Sequence, residues 1–283
     1  MIDYKLKQED LEYLLEKQKE GINKLQKSDF NGVIRGLKEP LKKIEEVIEN
    51  TNGDVYCPQN IFDTCIFLNC LGKEVKQEDF PPLNFYDFYL LNAAANFNLN
   101  NLEESKTNYE KALKLNPASD ICRVQLLNIK SQKNDYENFL DDIYEAFYFA
   151  YRRVEIGHLY KYVGDYLKHI KDYEMSVVAY CLSALYDLDD EAYKCADEVS
   201  KEGKFSLEDK EWLSEEYMNN FYQKYKIPLM PNERIIQLAE QMGDDAYNKK
   251  VYPISRFSYG IAYDLTLDEK YKKILEDIQS KIS

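Results

Sequence analysis

Two histidines and six cysteines are the side chains best suited to nucleophilic or metal-centred chemistry, and their spacing argues against both. Cys57, Cys65, Cys70, Cys122, Cys181 and Cys195 form no CxxC pair, so neither a structural zinc site nor a disulfide framework is expected. They read as buried free thiols, with Cys181 and Cys195 inside helical patterns. Serine chemistry would need a nucleophile held by histidine, commonly on a GxSxG elbow, and that motif does not occur. The phosphate-cradling loops GxxxxGK[ST] and GxGxxG are absent too, and 10 glycines leave little material for them. Asp141 with Asp142 and Asp189 with Asp190 could chelate a divalent ion, yet neighbours on a helix point about 100° apart and fit a solvated face better. DLDDE at Asp187 to Glu191 falls in a turn, where Asp is favoured as a cap. The expectation is no catalytic residue, no cofactor and no metal.

The histidines sit on one patterned stretch, Gly157 to Lys171. Leu159, Tyr162, Val163, Tyr166, Leu167 and Ile170 recur as a buried stripe, while His158, Lys161, Asp165, Lys168 and His169 share the opposite face at spacings of three and four. That face is either a binding surface or a solvated one carrying an intrahelical Lys161–Asp165 ion pair, worth about 0.2–0.5 kcal/mol.

The helix holding these residues belongs to a recurring pattern. In Tyr86 to Ser119, apolar positions Tyr89, Leu90, Ala93 and Phe97 recur at helical spacing, Asn98 to Asn101 supply a polar turn, and a second stripe follows through Leu102, Ser105, Tyr109, Ala112 and Leu113 until Pro117. This helical hairpin of 34 residues resembles a tetratricopeptide repeat, with Ala93, Ser105, Tyr109, Ala112 and Pro117 on signature positions. One period on, Asp120 to Arg153 places Asp135 and Tyr136 at the turn and Ala146 at the small position of the second helix. Gly157 to Asp190 matches again at Gly164, Asp172, Tyr173, Ser176, Tyr180 and Ser183, with Leu188 in place of the terminal proline.

Beyond these three repeats the pattern is degenerate. Two periods upstream, KLQKSDFNGVIRGLKEPL puts Asp29 and Phe30 at a turn and Val33 and Leu37 on a second helix, with Pro40 where the family has alanine. Asn52 to Phe85 carries one helix from Pro58 to Leu71. Ser206 to Lys226 reads as a helix opened by an approximate Ser206/Asp209 capping box, and IPLMPNE breaks the chain after it. A last hairpin, Asn232 to Met242 and Ile254 to Leu265, precedes a closing helix, Leu267 to Ile282, with Tyr271, Ile274, Leu275 and Ile278 on one face. The resemblance implies an all-α fold, a right-handed α-α superhelix of antiparallel hairpins. It reads as a single helical-repeat domain over 1–283, with degenerate hairpins in 1–85, three repeats in 86–190, and degenerate repeats with a cap in 191–283.

The resemblance also implies a ligand groove on the exposed faces of the first helices. It would be lined by Leu90, Ala94 and Phe97, then Val124, Asn128, Ser131 and Gln132, then His158, Lys161, Asp165, Lys168 and His169. Chaperone-binding members of the family grip a terminal carboxylate with lysine and asparagine four apart on one first helix. The equivalent pairs here are Leu90/Ala94, Val124/Asn128 and Lys161/Asp165, so that clamp is missing and Asp165 would repel a carboxylate.

Composition bounds the partner. With 37 basic and 51 acidic residues the net charge is −14, which disfavours nucleic acid and anionic membrane. Residues 1–50 carry 10 basic and 11 acidic side chains, 51–200 carry 14 and 25, and 201–283 carry 13 and 15, so the excess is concentrated in the central repeats. A basic or amphipathic protein or peptide is the expected partner. No apolar run approaches the roughly 18 residues of a membrane helix and the first twenty residues lack a secretory pattern, so the chain reads as cytoplasmic. The 25 tyrosines are expected to be mainly packing residues, Tyr89, Tyr109, Tyr136, Tyr160, Tyr173 and Tyr180 among them. These features describe a non-enzymatic binding scaffold. The alternatives are a sensor of a short signalling peptide, an acidic antidote to a basic protein, and an enzyme on a helical scaffold, which would need a cavity gathering several ionisable groups.

Overall fold

The computed structural model describes residues 4–72, 76, 79–187 and 190–282. Among them are fourteen α-helices and no strand: α1 (Gln8–Gln26), α2 (Phe30–Glu49), α3 (Ile61–Leu71), α4 (Phe85–Asn98), α5 (Leu102–Leu115), α6 (Asp120–Gln132), α7 (Phe139–Phe149), α8 (Arg153–His169), α9 (Tyr173–Tyr186), α10 (Asp190–Gly203), α11 (Glu215–Tyr225), α12 (Glu233–Asn248), α13 (Tyr252–Thr266) and α14 (Glu269–Ile282). None of these is long and apolar enough to cross a membrane.

The helices stop where the chain enters a left-handed residue. Ser28, Asn100, Lys171 and Lys250 have φ of 57°, 60°, 64° and 60°. In each case the next amide reaches back to the helix: Asp29 to the Lys24 carbonyl, Asn101 to Asn96 and Asp172 to Leu167 at 2.9 Å, Val251 to Ala246 at 2.8 Å. This is the Schellman closure, which satisfies carbonyls that a helix end leaves without donors. It also follows α6 at Asn134 and α10 at Lys204. Four of these turns lead straight into an antiparallel partner helix, giving the hairpins α1/α2, α4/α5, α8/α9 and α12/α13.

Three hairpins are joined by one recurring bond. The Ser105 hydroxyl donates to the Ala93 carbonyl at 2.9 Å, Ser176 to Gly164 at 2.8 Å, and Ser255 to Gly243 at 2.9 Å. One turn further along the second helix, Tyr109, Tyr180 and Tyr259 are buried, the last two against the glycine. A methyl group on Gly164 would lie 2.6 Å from the Tyr180 ring, and one on Gly243 would lie 2.8 Å from the Tyr259 ring. The α1/α2 hairpin keeps the geometry with apolar substitutes, Val33 for the serine and Leu37 against Gly21.

The chain divides into two compact units, Met1–Ile129 and Lys130–Ser283, with the boundary inside α6. In the first, α2 packs on α4, and Leu14, Val33, Leu37, Phe85 and Phe88 fill the core. Tyr86, wholly buried there, bonds Ser119 at 2.8 Å. In the second, the α8/α9 hairpin is flanked by α7 and α10, α11 lies against α9, and α12, α13 and α14 pack in succession.

Several segments depart from the sequence pattern. Pro40 sits inside α2 and is buried, so that helix passes through the family's alanine position. Residues 206–214 are not α-helical: a single 3-10 turn at Leu207–Asp209 precedes a bend, and α11 begins at Glu215. The cause is Trp212, buried between Phe205 and Tyr217, with its indole N–H on the Leu207 carbonyl at 2.9 Å. Ser206 caps Glu208 at 3.2 Å; the Asp209 side chain and Leu188 lie outside the described residues. The first helix of the last hairpin does not stop at Met242 but continues through Gly243 to Asn248, because Gly243 is the point of contact with Tyr259.

Two sets of substitutions test this scheme. Gly164→Ala and Gly243→Ala should each destabilise by about 1–3 kcal/mol through overpacking against tyrosine, whereas Gly260→Ala, with nothing within 4 Å, should stabilise by about 0.5–1 kcal/mol; urea midpoints measure all three. Lys250→Gly should gain about 1 kcal/mol by relieving the left-handed backbone, and Asn100→Gly less, since asparagine tolerates that conformation. Equal shifts would contradict the assignment.

Candidate functional site

The outward face of α8 brings together most of the residues that the sequence singles out. His158, Lys161, Asp165 and Lys168 are half-buried and His169 is exposed. Four of the five are already engaged. Lys161 lies 3.8 Å from Asp165 and 3.5 Å from Glu191 on α10, and Lys168 lies 3.0 Å from Glu202 on the same helix. Burial opposes the charge of Lys161, but the neighbouring carboxylates more than offset it and hold its ammonium above the usual range. Asp165 accepts the Tyr180 hydroxyl at 2.6 Å and the Ser131 hydroxyl at 2.9 Å, tying this face to the hairpin core and to the end of α6. Burial, followed by that carboxylate charge, pushes the Tyr180 hydroxyl far above its ordinary value.

His158 has a carboxylate on each nitrogen. Nδ1 is 3.4 Å from Glu155 Oε2 and Nε2 is 3.3 Å from Asp187 Oδ2, at the end of α9. A neutral imidazole has only one N–H, so one lone pair would face an anion; the doubly protonated ring satisfies both. The Glu155 hydrogen bond, working against burial, accordingly raises its pKa.

His169 differs. Its ring lies against Tyr136, with centroids 4.6 Å apart, and Tyr136 in turn packs on Phe139 and Tyr166. These residues open onto a cleft of about 430 Å³ lined by Ser131, Asn134, Tyr136, Asp165, Lys168, His169, Lys171, Tyr173 and Glu202. Four elements build it: the end of α6, its Schellman turn, the end of α8 with its turn into α9, and α10. The Asn134 and Lys171 side chains and the Tyr173 hydroxyl make no hydrogen bond or ion pair among the described residues. Ser131, Asp165, Lys168 and His169 are four of the sequence's groove candidates, and the structure places all four on this cleft. Glu202 and Tyr173 were not among them, since they come from α10 and from the start of α9, and only the inter-helix geometry places them here.

The other expected contacts are distributed differently. Leu90 and Phe97 are half-buried and pack against the core of the first unit. Asn128 is half-buried and Gln132 exposed, while Val124 is wholly buried and is therefore a core residue rather than a groove residue. On α8 itself, Ile170 is 44% exposed and so lies outside the apolar stripe, whereas Tyr160 is completely buried. A second cleft, of about 420 Å³, lies between α1 and α2 beside Tyr13, Lys17, Glu20 and Arg35.

The cysteines sit where burial opposes thiolate formation. Burial pushes the Cys57 thiol up to about 12 and those of Cys122 and Cys181 to about 11, with Cys65 and Cys195 raised for the same reason. Protonated thiols are poor nucleophiles. Cys181 and Cys195 are half-buried rather than fully so. Asp142 is paired with Lys130, Asp187 with His158, and Asp189 lies outside the described residues. No group of three or more His, Cys, Asp or Glu among the described residues could hold a metal ion.

No protein-family model matches this chain, and no curated protein is significantly similar to it.

The His158 bridge generates a pH dependence. Because folding raises its pKa, its contribution is fully present below the unfolded value of about 6.5 and is lost as pH rises through the folded one. The stability difference between the wild type and His158→Asn should therefore shrink from pH 5.5 to pH 9 in urea titrations; a difference that does not change with pH would refute the bridge.

Proposed function

We propose that this chain is a non-enzymatic scaffold of tetratricopeptide type, its hairpins stacked as a right-handed superhelix, that binds a basic or amphipathic segment of another protein. The observation that carries this reading is the 430 Å³ cleft, since the end of α6, the α8/α9 hairpin and α10 meet at it and four residues singled out from the sequence as groove candidates line it. Its aromatic wall, Tyr136 with His169, offers apolar contact area at low entropic cost. Its carboxylates, Asp165 and Glu202, hold the far side. The acidic excess of residues 51–200 adds long-range attraction for a cationic partner. The cysteines, held protonated by burial, favour binding over nucleophilic catalysis.

Lys161 and Lys168 are unsuitable test positions, because each also holds α10. Asn134→Gly combined with His169→Ala removes cleft surface without breaking an internal ion pair, and Gly suits the left-handed backbone at 134. Partners retained from a native-host lysate by the immobilised protein, quantified by mass spectrometry, should fall at least fivefold, with the unfolding midpoint changed by no more than about 1 kcal/mol. An unaltered set of partners would sink the assignment of the cleft.

A further inference from the structure

The cleft beside His169 has spent its acceptors and kept its donors. Asp165 accepts the Tyr180 hydroxyl at 2.6 Å and the Ser131 hydroxyl at 2.9 Å, with Lys161 3.8 Å away, and Glu202 lies 3.0 Å from Lys168. Four other lining groups make no hydrogen bond or ion pair among the described residues: the Lys171 ammonium, the Asn134 amide, the Tyr173 hydroxyl and the His169 ring nitrogens. Each of them can donate, and the ammonium can only donate. Their backbone positions are set by the fold. Asn134 and Lys171, φ 51° and 64°, are the left-handed residues that close α6 and α8, and each turn is locked by a 2.9 Å bond, from the Asp135 amide to the Lys130 carbonyl and from the Asp172 amide to the Leu167 carbonyl. The His169 ring rests on Tyr136. Tyr173 opens α9 against Gly203 of α10, where a methyl group would come within 3.0 Å of the tyrosine Cβ.

We propose that these donors hold a carboxylate, supplied by an aspartate or glutamate side chain of the partner segment. The inference rests on the cleft being the binding site, and names what it grips. Charge decides between an anion and a neutral acceptor. In the lining, Lys168 and Lys171 balance Asp165 and Glu202, so the cleft lacks the acidic surplus that a chain of −14 carries as a whole. Lys168 is matched to Glu202 and Asp165 to Lys161, which leaves Lys171 as the lining lysine without a counter-ion among the described residues. One monoanion completes the set, through charge-assisted hydrogen bonds about twice as strong as neutral ones. Spacing along α8 makes Asp165 a repulsive element for a carboxylate; in the structure its charge is shared among Tyr180, Ser131 and Lys161, and the free donors lie beyond it, at residues 134 and 169–173. The acidic field of the chain draws in the basic part of the segment, and capture of one acidic residue in the cleft sets its register.

The chain's two histidines make the test internally controlled, since His169 lines the cleft and His158 does not. The full-length protein is titrated at constant ionic strength with N-acetyl-glutamate α-amide, and with the glutamine analogue, while the ring signals of both histidines are followed by NMR. The glutamate probe should move the His169 signals saturably and leave those of His158 in place. The glutamine analogue should bind at least about tenfold more weakly, as should the glutamate probe to Lys171→Asn, which keeps a residue that tolerates the left-handed turn but removes the charge. Equal binding of the two probes, an equal response of both histidines, or an undiminished affinity in Lys171→Asn would each overturn the carboxylate site. Its failure is separable from that of the scaffold reading. If Asn134→Gly with His169→Ala loses partners but His169 ignores the glutamate probe, the carboxylate inference alone is overturned; a saturable His169 response with partners unaltered supports the carboxylate site and sinks the partner assignment instead.

Discussion

The close approach of two helices at a single small residue is the constraint on which the rest depends. At Gly164 and Gly243 the second helix comes near enough for a serine hydroxyl to reach the first helix's carbonyl and for a tyrosine ring to lie where a methyl group would be. The Schellman turn fixes the phase at which the second helix starts. Ala93, with Ser105 and Tyr109, shows that alanine also fits. The α1/α2 hairpin, using Val33 and Leu37, shows that apolar packing alone maintains the approach. The hydroxyl therefore selects register more than it supplies strength.

That buried contact reaches the surface through one side chain. The Tyr180 hydroxyl emerges beside Asp165, and Asp165 also takes Ser131 from the preceding first helix. Tyr259 repeats the first half of this at Asp244, 2.5 Å away, and α14 then covers α12 through the Tyr271 bond to Glu240 at 2.7 Å. Each first helix thus presents a face that the following helix joins by ion pairs or hydroxyl bonds. Such pairs, half-exposed, contribute about 0.2–1 kcal/mol each. Their larger effect is on position: they draw α10 onto the α8 face, and the cleft at Tyr136 and His169 lies beside the Lys168–Glu202 pair.

The hairpin pattern was largely legible in the sequence, because it is written in local spacing. Ala93, Ser105 and Tyr109 repeat as Gly164, Ser176 and Tyr180, and the helices fall where the stripes place them. The third copy, Gly243, Ser255 and Tyr259, was obscured by its own key residue, since glycine followed by two aspartates resembles a stop. Residues 206–214 misled for the opposite reason: helix-forming composition yields to the burial of one tryptophan. Spacing along α8 separates His158, Lys161, Asp165 and Lys168 from the buried stripe apart from Ile170 and Tyr160, but it carries no information about Glu191 and Glu202 on another helix. Of six tyrosines expected to pack, Tyr89, Tyr109, Tyr160 and Tyr180 are buried, whereas Tyr136 and Tyr173 line the cleft.

The distribution of charge follows from the same economy of glycine. With 10 glycines in the chain, most left-handed helix ends fall to other residues, and Lys171, Lys204, Lys226 and Lys250 take four of them. Lysine is a poor choice sterically, but an ammonium at a helix C-terminus meets the negative end of the macrodipole, which offsets part of the strain. Other lysines bridge helices, as Lys161, Lys168 and Lys270 do, and Lys210 ties the bend before α11 to α9. Cations are thereby drawn into internal duties while the surplus carboxylates face solvent. A chain of net charge −14 built in this way presents an outward field more negative than its own contacts require.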